Sequence, residues 1–210
     1  MQGILSVLDV VVPPTCRACS TPLANSSATL CGPCLAQIPS SARAVDATGP
    51  IIKCWSLGDY DGFLGGLIRK AKYQPSLSIS DQLGVWLGEC IAEKIDVDAV
   101  VPVPTTSFRR LVRGFDQADR IAMGVSSEMG VNVERLLVRK GFSRQVGKTA
   151  IQRKKLRSHS FALRAVTCPE RVLLIDDVMT TGATLNAAAK HLSVHGVSTI
   201  YAAVVADSGV

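Results

Sequence analysis

The 210-residue chain predicts an α/β fold, an open and mostly parallel sheet flanked by helices, with a small four-cysteine module at its N-terminal end. Three observations lead there. Residues 172–175 (Val-Leu-Leu-Ile) form an apolar run of the kind buried on both faces of a parallel sheet, and a helix-forming stretch follows at residues 185–192. Further short apolar runs at 98–104 and 199–206 read as strands, and the 3.6-residue spacing of Leu83, Trp86, Leu87, Cys90, Ile91 and Ile95 reads as an amphipathic helix laid on them. Two Cys-x-x-Cys pairs lie near the start, Cys16/Cys19 and Cys31/Cys34.

Taken in order, residues 1–14 are apolar but lack a basic leader and a small-residue cleavage site. They predict a short helix packed on the body rather than a signal peptide. The two cysteine pairs are separated by eleven residues rich in turn formers, a spacing that lets four thiolates surround one tetrahedral Zn²⁺. Four sulfur ligands leave no open position, so the zinc is structural. Two disulfides are the competing reading, opposed by a reducing cytoplasm. Cys54, Cys90 and Cys168 are scattered and read as core thiols.

Residues 40–50 read as a linker with a Gly-Pro stop, dividing the chain into 1–45 (helix and ribbon) and 46–210 (the α/β domain). Strand character follows at 51–57, a turn at 58–62, and a helix at 63–73 that ends in cations. Those cations complement the helix dipole or face an anionic ligand. The helix at 80–95 implies no cofactor. The strand at 98–104 runs into Pro102-Val103-Pro104, whose two prolines stiffen a loop at the strand end. Gly196 stops the helix that begins near 185, and residues 199–206 supply a last buried strand. His159, His191 and His195 form no metal or triad pattern.

The chemistry concentrates at residues 172–184. The apolar strand ends on Asp176-Asp177, and Thr180-Thr181-Gly182-Ala183-Thr184 leads into the helix. Unpaired N–H groups at a helix start favour phosphate, Gly182 lets the backbone approach closely, and the threonines add hydroxyl donors. The carboxylates suit ribose hydroxyls or a divalent cation instead. A sugar phosphate satisfies both ends. A receiver-type phosphoacceptor also places aspartates at strand ends but has no use for the Thr/Gly turn.

This stretch closely resembles the phosphoribosyl-pyrophosphate (PRPP) motif of type I phosphoribosyltransferases. The cysteine pairs, Tyr60-Asp61-Gly62, Leu67 followed by Lys72-Tyr73, Pro-Val-Pro, and Arg113-Gly114-Phe115-Asp116-Gln117 precede it in an order that resembles the ComF family of competence-associated, phosphoribosyltransferase-like proteins. The resemblance implies a type I phosphoribosyltransferase-like domain, and PRPP with Mg²⁺ held by Asp176, Asp177 and residues 180–184. It also implies a pyrophosphate loop at Pro104, Thr105 and Thr106, and partners in DNA uptake or processing. Two departures stand out: the family commonly has Asn where this chain has Asp116, and its Arg-x-x-Asn pattern is absent around Arg153. No residue marks a catalytic group or an acceptor pocket.

The formal charge is +6, and between Glu134 and Glu170 the chain has no acidic residue. That interval suits a polyanion. Three readings stand side by side: a basic lid closing over pyrophosphate through Arg144 and Lys148, a single-stranded DNA contact through Arg153, Lys154, Lys155 and Arg157, or a solvated surface. No run is long enough to span a membrane, and a cytoplasmic location is the expectation. A chain that is 47% hydrophobic is not a disordered one.

Overall fold

A computed structural model describes residues 14–25, 27–73, 77–105, 114–139, 161–164 and 167–209. The predicted N-terminal helix, Thr106, Arg113 of the Arg-Gly-Phe motif and the loop and helix expected over 140–156 lie outside the described residues. The elements run α1 (Gly32–Leu35), β1 (Arg43–Val45), β2 (Ile51–Asp59), α2 (Phe63–Tyr73), α3 (Leu77–Ile91), β3 (Ala99–Pro102), α4 (Gln117–Met129), β4 (Leu137–Arg139), β5 (Phe161–Leu163), β6 (Arg171–Met179), α5 (Ala183–Ser193) and β7 (Thr199–Asp207). Five strands form one sheet in the order β1-β2-β7-β6-β3. β1 is antiparallel to β2 and every other pairing is parallel. β4 and β5 make a separate antiparallel pair.

The alternation of side chains across the sheet builds two cores. Leu173 and Ile175 of β6 join Val100, Ala203 and Val205 beneath α2, α3 and α4. Val172 and Leu174 join Val101, Ala202 and Val204 beneath α5. All four apolar residues at 172–175 are fully buried, as a strand in mid-sheet requires. The cysteine module shares the first core: Cys16, Leu30 and Cys34 cluster with Trp55, Leu67 and Ile68.

Three features differ from the sequence reading. The predicted linker contains β1, whose register pairs Arg43 with Ser56 and Val45 with Cys54. α4 was not expected at all. It crosses α3 so closely that both helices need glycine at the contact: a Cβ on Gly124 would lie 2.3 Å from the Asp81 carbonyl oxygen, and one on Gly84 2.1 Å from that of Ile121. The third is the length of β6, which continues through the two aspartates to Met179 instead of stopping before them. Pairing with β7 persists to Met179↔Asp207, whereas β3 ends at Pro102↔Ile175.

Candidate functional site

The unequal lengths of β3 and β6 create the site. After the last bridge, Val103 donates its N–H to the Ile175 carbonyl at 2.8 Å, and the chain then leaves the sheet. From Asp176 onward β6 has a paired neighbour on one side only, and its other side opens into a cavity of about 160 Å³. Its lining includes Asp176, Asp177 and Thr184 together with Pro104, Thr105, Asp116, Gln117, Lys72 and Arg139. A ligand crevice at the carboxyl ends of parallel strands is the expected place in an open α/β sheet.

The turn at 180–184 has the local chemistry its sequence requires. Gly182 sits at φ +66° as the residue before α5, a left-handed conformation that glycine adopts without penalty. Asn186 N–H returns to the Gly182 carbonyl at 2.9 Å, leaving the N–H groups of the first turn without helical partners. Thr180, Thr181, Gly182 and Ala183 form this turn beside the cavity wall made by Thr184.

The site's electrostatics are mixed. Lys72 Nζ lies 2.5 Å from Asp177 Oδ2, with both side chains mostly buried. Burial, the Asp177 charge and, more weakly, the Asp116 charge push the Asp176 carboxyl well above the usual carboxylate range. Asp176 Oδ1 accepts the Asp177 N–H at 2.8 Å. Burial also raises Asp116, whose Oδ2 accepts the Thr105 N–H at 2.9 Å and so ties α4 to the Pro-Val-Pro loop. Asp116 Oδ1 and Gln117 Oε1 are buried acceptors with no protein donor among the described residues. Two cations, three carboxyl groups and two unused acceptors thus face one small space.

A second cavity of about 260 Å³ adjoins the first through Pro104, Thr105, Asp116 and Arg139. Arg120, Arg135 and Arg164 reach it as well. Arg120 is paired with Asp81, and Arg135 Nε lies 2.6 Å from Asp119 Oδ1.

Of the predicted residues, Pro104, Thr105, Asp176, Asp177 and Thr184 converge on the first cavity. Thr106, Arg144, Lys148, Arg153, Lys154, Lys155 and Arg157 lie outside the described residues. Sequence reasoning did not assign Gln117 or Arg139 to the site, and it left Lys72 between a dipole and a ligand role. No local pattern marks Arg139; Gln117 closes the Arg-Gly-Phe-x-Gln motif, which carried the family resemblance without a site role. Lys72 did carry a signal, as the last cation of an amphipathic helix.

The N-terminal cysteines form a second centre. The sulfurs of Cys16, Cys19, Cys31 and Cys34 lie within 4.8 Å of one another, and none is in a disulfide. Tetrahedral coordination at the usual zinc–sulfur length sets sulfurs about 3.8 Å apart; Cys19 and Cys31 stand at 3.6 Å. Burial opposes ionisation of Cys16, yet the N–H groups of Cys19, Cys31 and Ala18 outweigh it and bring the thiol down to about 6. Burial and the neighbouring sulfurs drive Cys34 up to about 12. Four soft donors this close fit a metal such as zinc, and a bound cation would relieve the cost of further thiolates.

Comparison with known proteins agrees with this geometry. Residues 71–210 match the phosphoribosyl transferase domain family. Competence protein F of Haemophilus influenzae is 33% identical over 199 residues, covering 89% of this chain and 82% of that protein. The DNA utilization proteins YhgH of Salmonella typhimurium and Salmonella typhi are each 26% identical over 193 residues, covering 88% of this chain and 80% of theirs. A sheet that opens beside an Asp-Asp pair, a Thr/Gly turn and a four-cysteine head thus accompany a match over most of the chain, which belongs to the ComF family of phosphoribosyltransferase-domain proteins.

Proposed function

We propose that the first cavity binds PRPP with Mg²⁺ and that the protein transfers the phosphoribosyl group to an acceptor not yet identified. The observation that carries this reading is the meeting of both signs of charge in one small space: Asp176, Asp177 and Thr184 of the motif line the same cavity as Lys72, Thr105 and Arg139, and Lys72 pairs with Asp177. The N–H groups at the start of α5 would take the 5′-phosphate. The aspartates would accept from the ribose hydroxyls, and Thr105, Lys72 and Arg139 would meet the pyrophosphate. Mg²⁺ would be held near Asp176 and Asp177 and would supply charge neutralisation for the pyrophosphate. The residues contribute position and electrostatics to a cationic, sugar-like transition state. Structural zinc in the cysteine cluster and a cytoplasmic location belong to the same reading.

Calorimetric titration with PRPP and Mg²⁺ tests it. The wild-type protein binds, and Asp177→Asn weakens binding by about tenfold or more, the scale of one charge-assisted hydrogen bond. Absence of wild-type binding removes the proposal.

A second reading, single-stranded DNA binding in DNA uptake or processing, is favoured by the second cavity with its several arginines and by the names of the relatives. Such binding weakens steeply with salt. Replacing both Lys154 and Lys155 by Ala weakens it further if the basic interval is the contact, and unchanged affinity excludes that interval.

A further inference from the structure

The last turn of α2 carries two lysines, two positions apart and therefore about 200° around the helix from each other. They reach opposite ways. Lys72 pairs with Asp177 in the proposed PRPP cavity, at 2.5 Å. Lys70 donates to the carbonyl of Ala18, inside the first Cys-x-x-Cys turn. Between them Leu67, Ile68 and Ala71 are buried in the core that also holds Cys16 and Cys34. The Ile68 carbonyl accepts from the side-chain amide of Gln117, another residue of the cavity wall, at 3.4 Å. One helical turn is thus fastened to the cysteine knuckle on one face and to the ligand cavity on the other.

We infer that Lys70 is a positioning residue for Lys72: its bond to Ala18 uses the cysteine knuckle as a fixed anchor that sets where the Lys72 ammonium stands against Asp177. A helix C-terminus otherwise frays, since its last carbonyls lack intrahelical donors. Lys72 sits on the penultimate residue of α2, where fraying would carry its ammonium away from Asp177. The knuckle itself is held by its own backbone bonds, Cys16 N–H to Thr21 and Ser20 N–H to Cys16, both 2.8 Å, and by whatever metal the four sulfurs bind. Lys70 touches no ligand. It acts through the turn it shares with Lys72.

The test needs no PRPP for its main arm. Acylation of lysines in the intact protein, followed by peptide mass spectrometry, reads how well each ammonium is held; exposed Lys190 serves as reference. In the wild type Lys72 reacts several-fold more slowly than Lys190. Asp177→Asn raises the Lys72 rate, because the pair is gone. Lys70→Met and Lys70→Gln raise it several-fold with Lys190 unchanged, whereas Lys70→Arg, which can still donate to Ala18, keeps it slow. A Lys72 rate unaffected by both Lys70→Met and Lys70→Gln overturns the inference, and so does one unaffected by Asp177→Asn. Melting curves show that the variants remain folded at the assay temperature.

The second arm rests on the PRPP reading. Lys70→Met weakens PRPP binding about three- to tenfold in the wild-type background and not at all in Lys72→Met, the signature of action through Lys72. Equal weakening in both backgrounds overturns the inference in favour of a general loss of stability. Failure of the wild type to bind PRPP defeats the ligand assignment alone, and the acylation rates then decide the role of Lys70.

Discussion

Gly124 and Gly66 are both helical glycines, yet alanine at the two positions should act in opposite directions. A methyl group on Gly124 would stand 2.3 Å from the Asp81 carbonyl oxygen, 2.7 Å from Val85 N and 2.8 Å from the Gly84 carbonyl carbon. All three are backbone atoms of α3, so no side chain can rotate out of the way. Ordinary contact begins at 3.4 Å, and α4 must therefore retreat by roughly an ångström. That loosens Leu83, Leu87, Ile121 and Val125, which are completely buried at this crossing. Overpacking of this kind costs about 1–3 kcal/mol, and a chain of this size loses about 2–4 °C of melting temperature per kcal/mol. Gly124→Ala should therefore melt about 2–12 °C lower. It should also weaken PRPP binding, because Asp116 and Gln117 at the start of α4 move with the helix. Gly66 has nothing within 4 Å of the same added atom. There alanine only removes backbone freedom from the unfolded chain and should stabilise by about 0.5–1 kcal/mol. Thermal unfolding followed by circular dichroism reads both variants. A Gly124→Ala midpoint within a degree of wild type, or a Gly66→Ala midpoint that falls as far as that of Gly124→Ala, would refute the packing argument.

Asp116→Asn should raise the melting temperature near neutral pH. Burial holds the folded carboxyl above its ordinary value, so its contribution to stability is full below the unfolded pKa and is lost as pH rises through the folded one. The advantage of Asn should shrink as pH falls through the raised folded pKa and be gone below about 4, and an offset constant across pH would contradict this origin. Native mass spectrometry should find one zinc on the wild-type protein, and replacing Cys16 and Cys31 by Ser should abolish it and lower the melting temperature. Zinc retained at full stoichiometry would mean that these sulfurs are not its ligands.

The parts of the fold legible in the sequence are those whose signal is contiguous. Val172-Leu173-Leu174-Ile175 announces a buried strand, and the Thr/Gly turn announces the start of α5, because neighbouring residues carry the whole pattern. α4 had the helical spacing Ala118, Ile121, Ala122, Val125, all buried. Gly124 and two serines dilute it, and the glycine is present because α3 comes so near. β1 is only three residues long, Arg-Ala-Val, and its pairing with β2 reveals it as a strand. The site divides the same way. Asp176, Asp177 and Thr184 come from one motif, but Lys72, Gln117 and Arg139 arrive from three separate segments, which only the tertiary fold brings together. That β6 would outrun β3, opening the space between them, depends on two pairing registers and cannot be read from either strand alone.

The placement of β2 bears on how far this protein can be divided. The family match begins at residue 71, after β2, yet β2 lies alongside β7 from Ile51↔Ile200 to Asp59↔Asp207. A chain cut back to the matched residues would leave β7 as a nine-residue edge rich in alanine and valine, open to any strand it met. A cut just after β1 would spare that edge but release Asp207, which Arg43 holds at 2.6 Å beside Asp59. The first fragment should self-associate through that edge. The inheritable unit therefore includes the cysteine head: recombination that exchanged it for another module would have to supply a new edge strand, a partner for Asp207 and a hold on Lys70 in the same event.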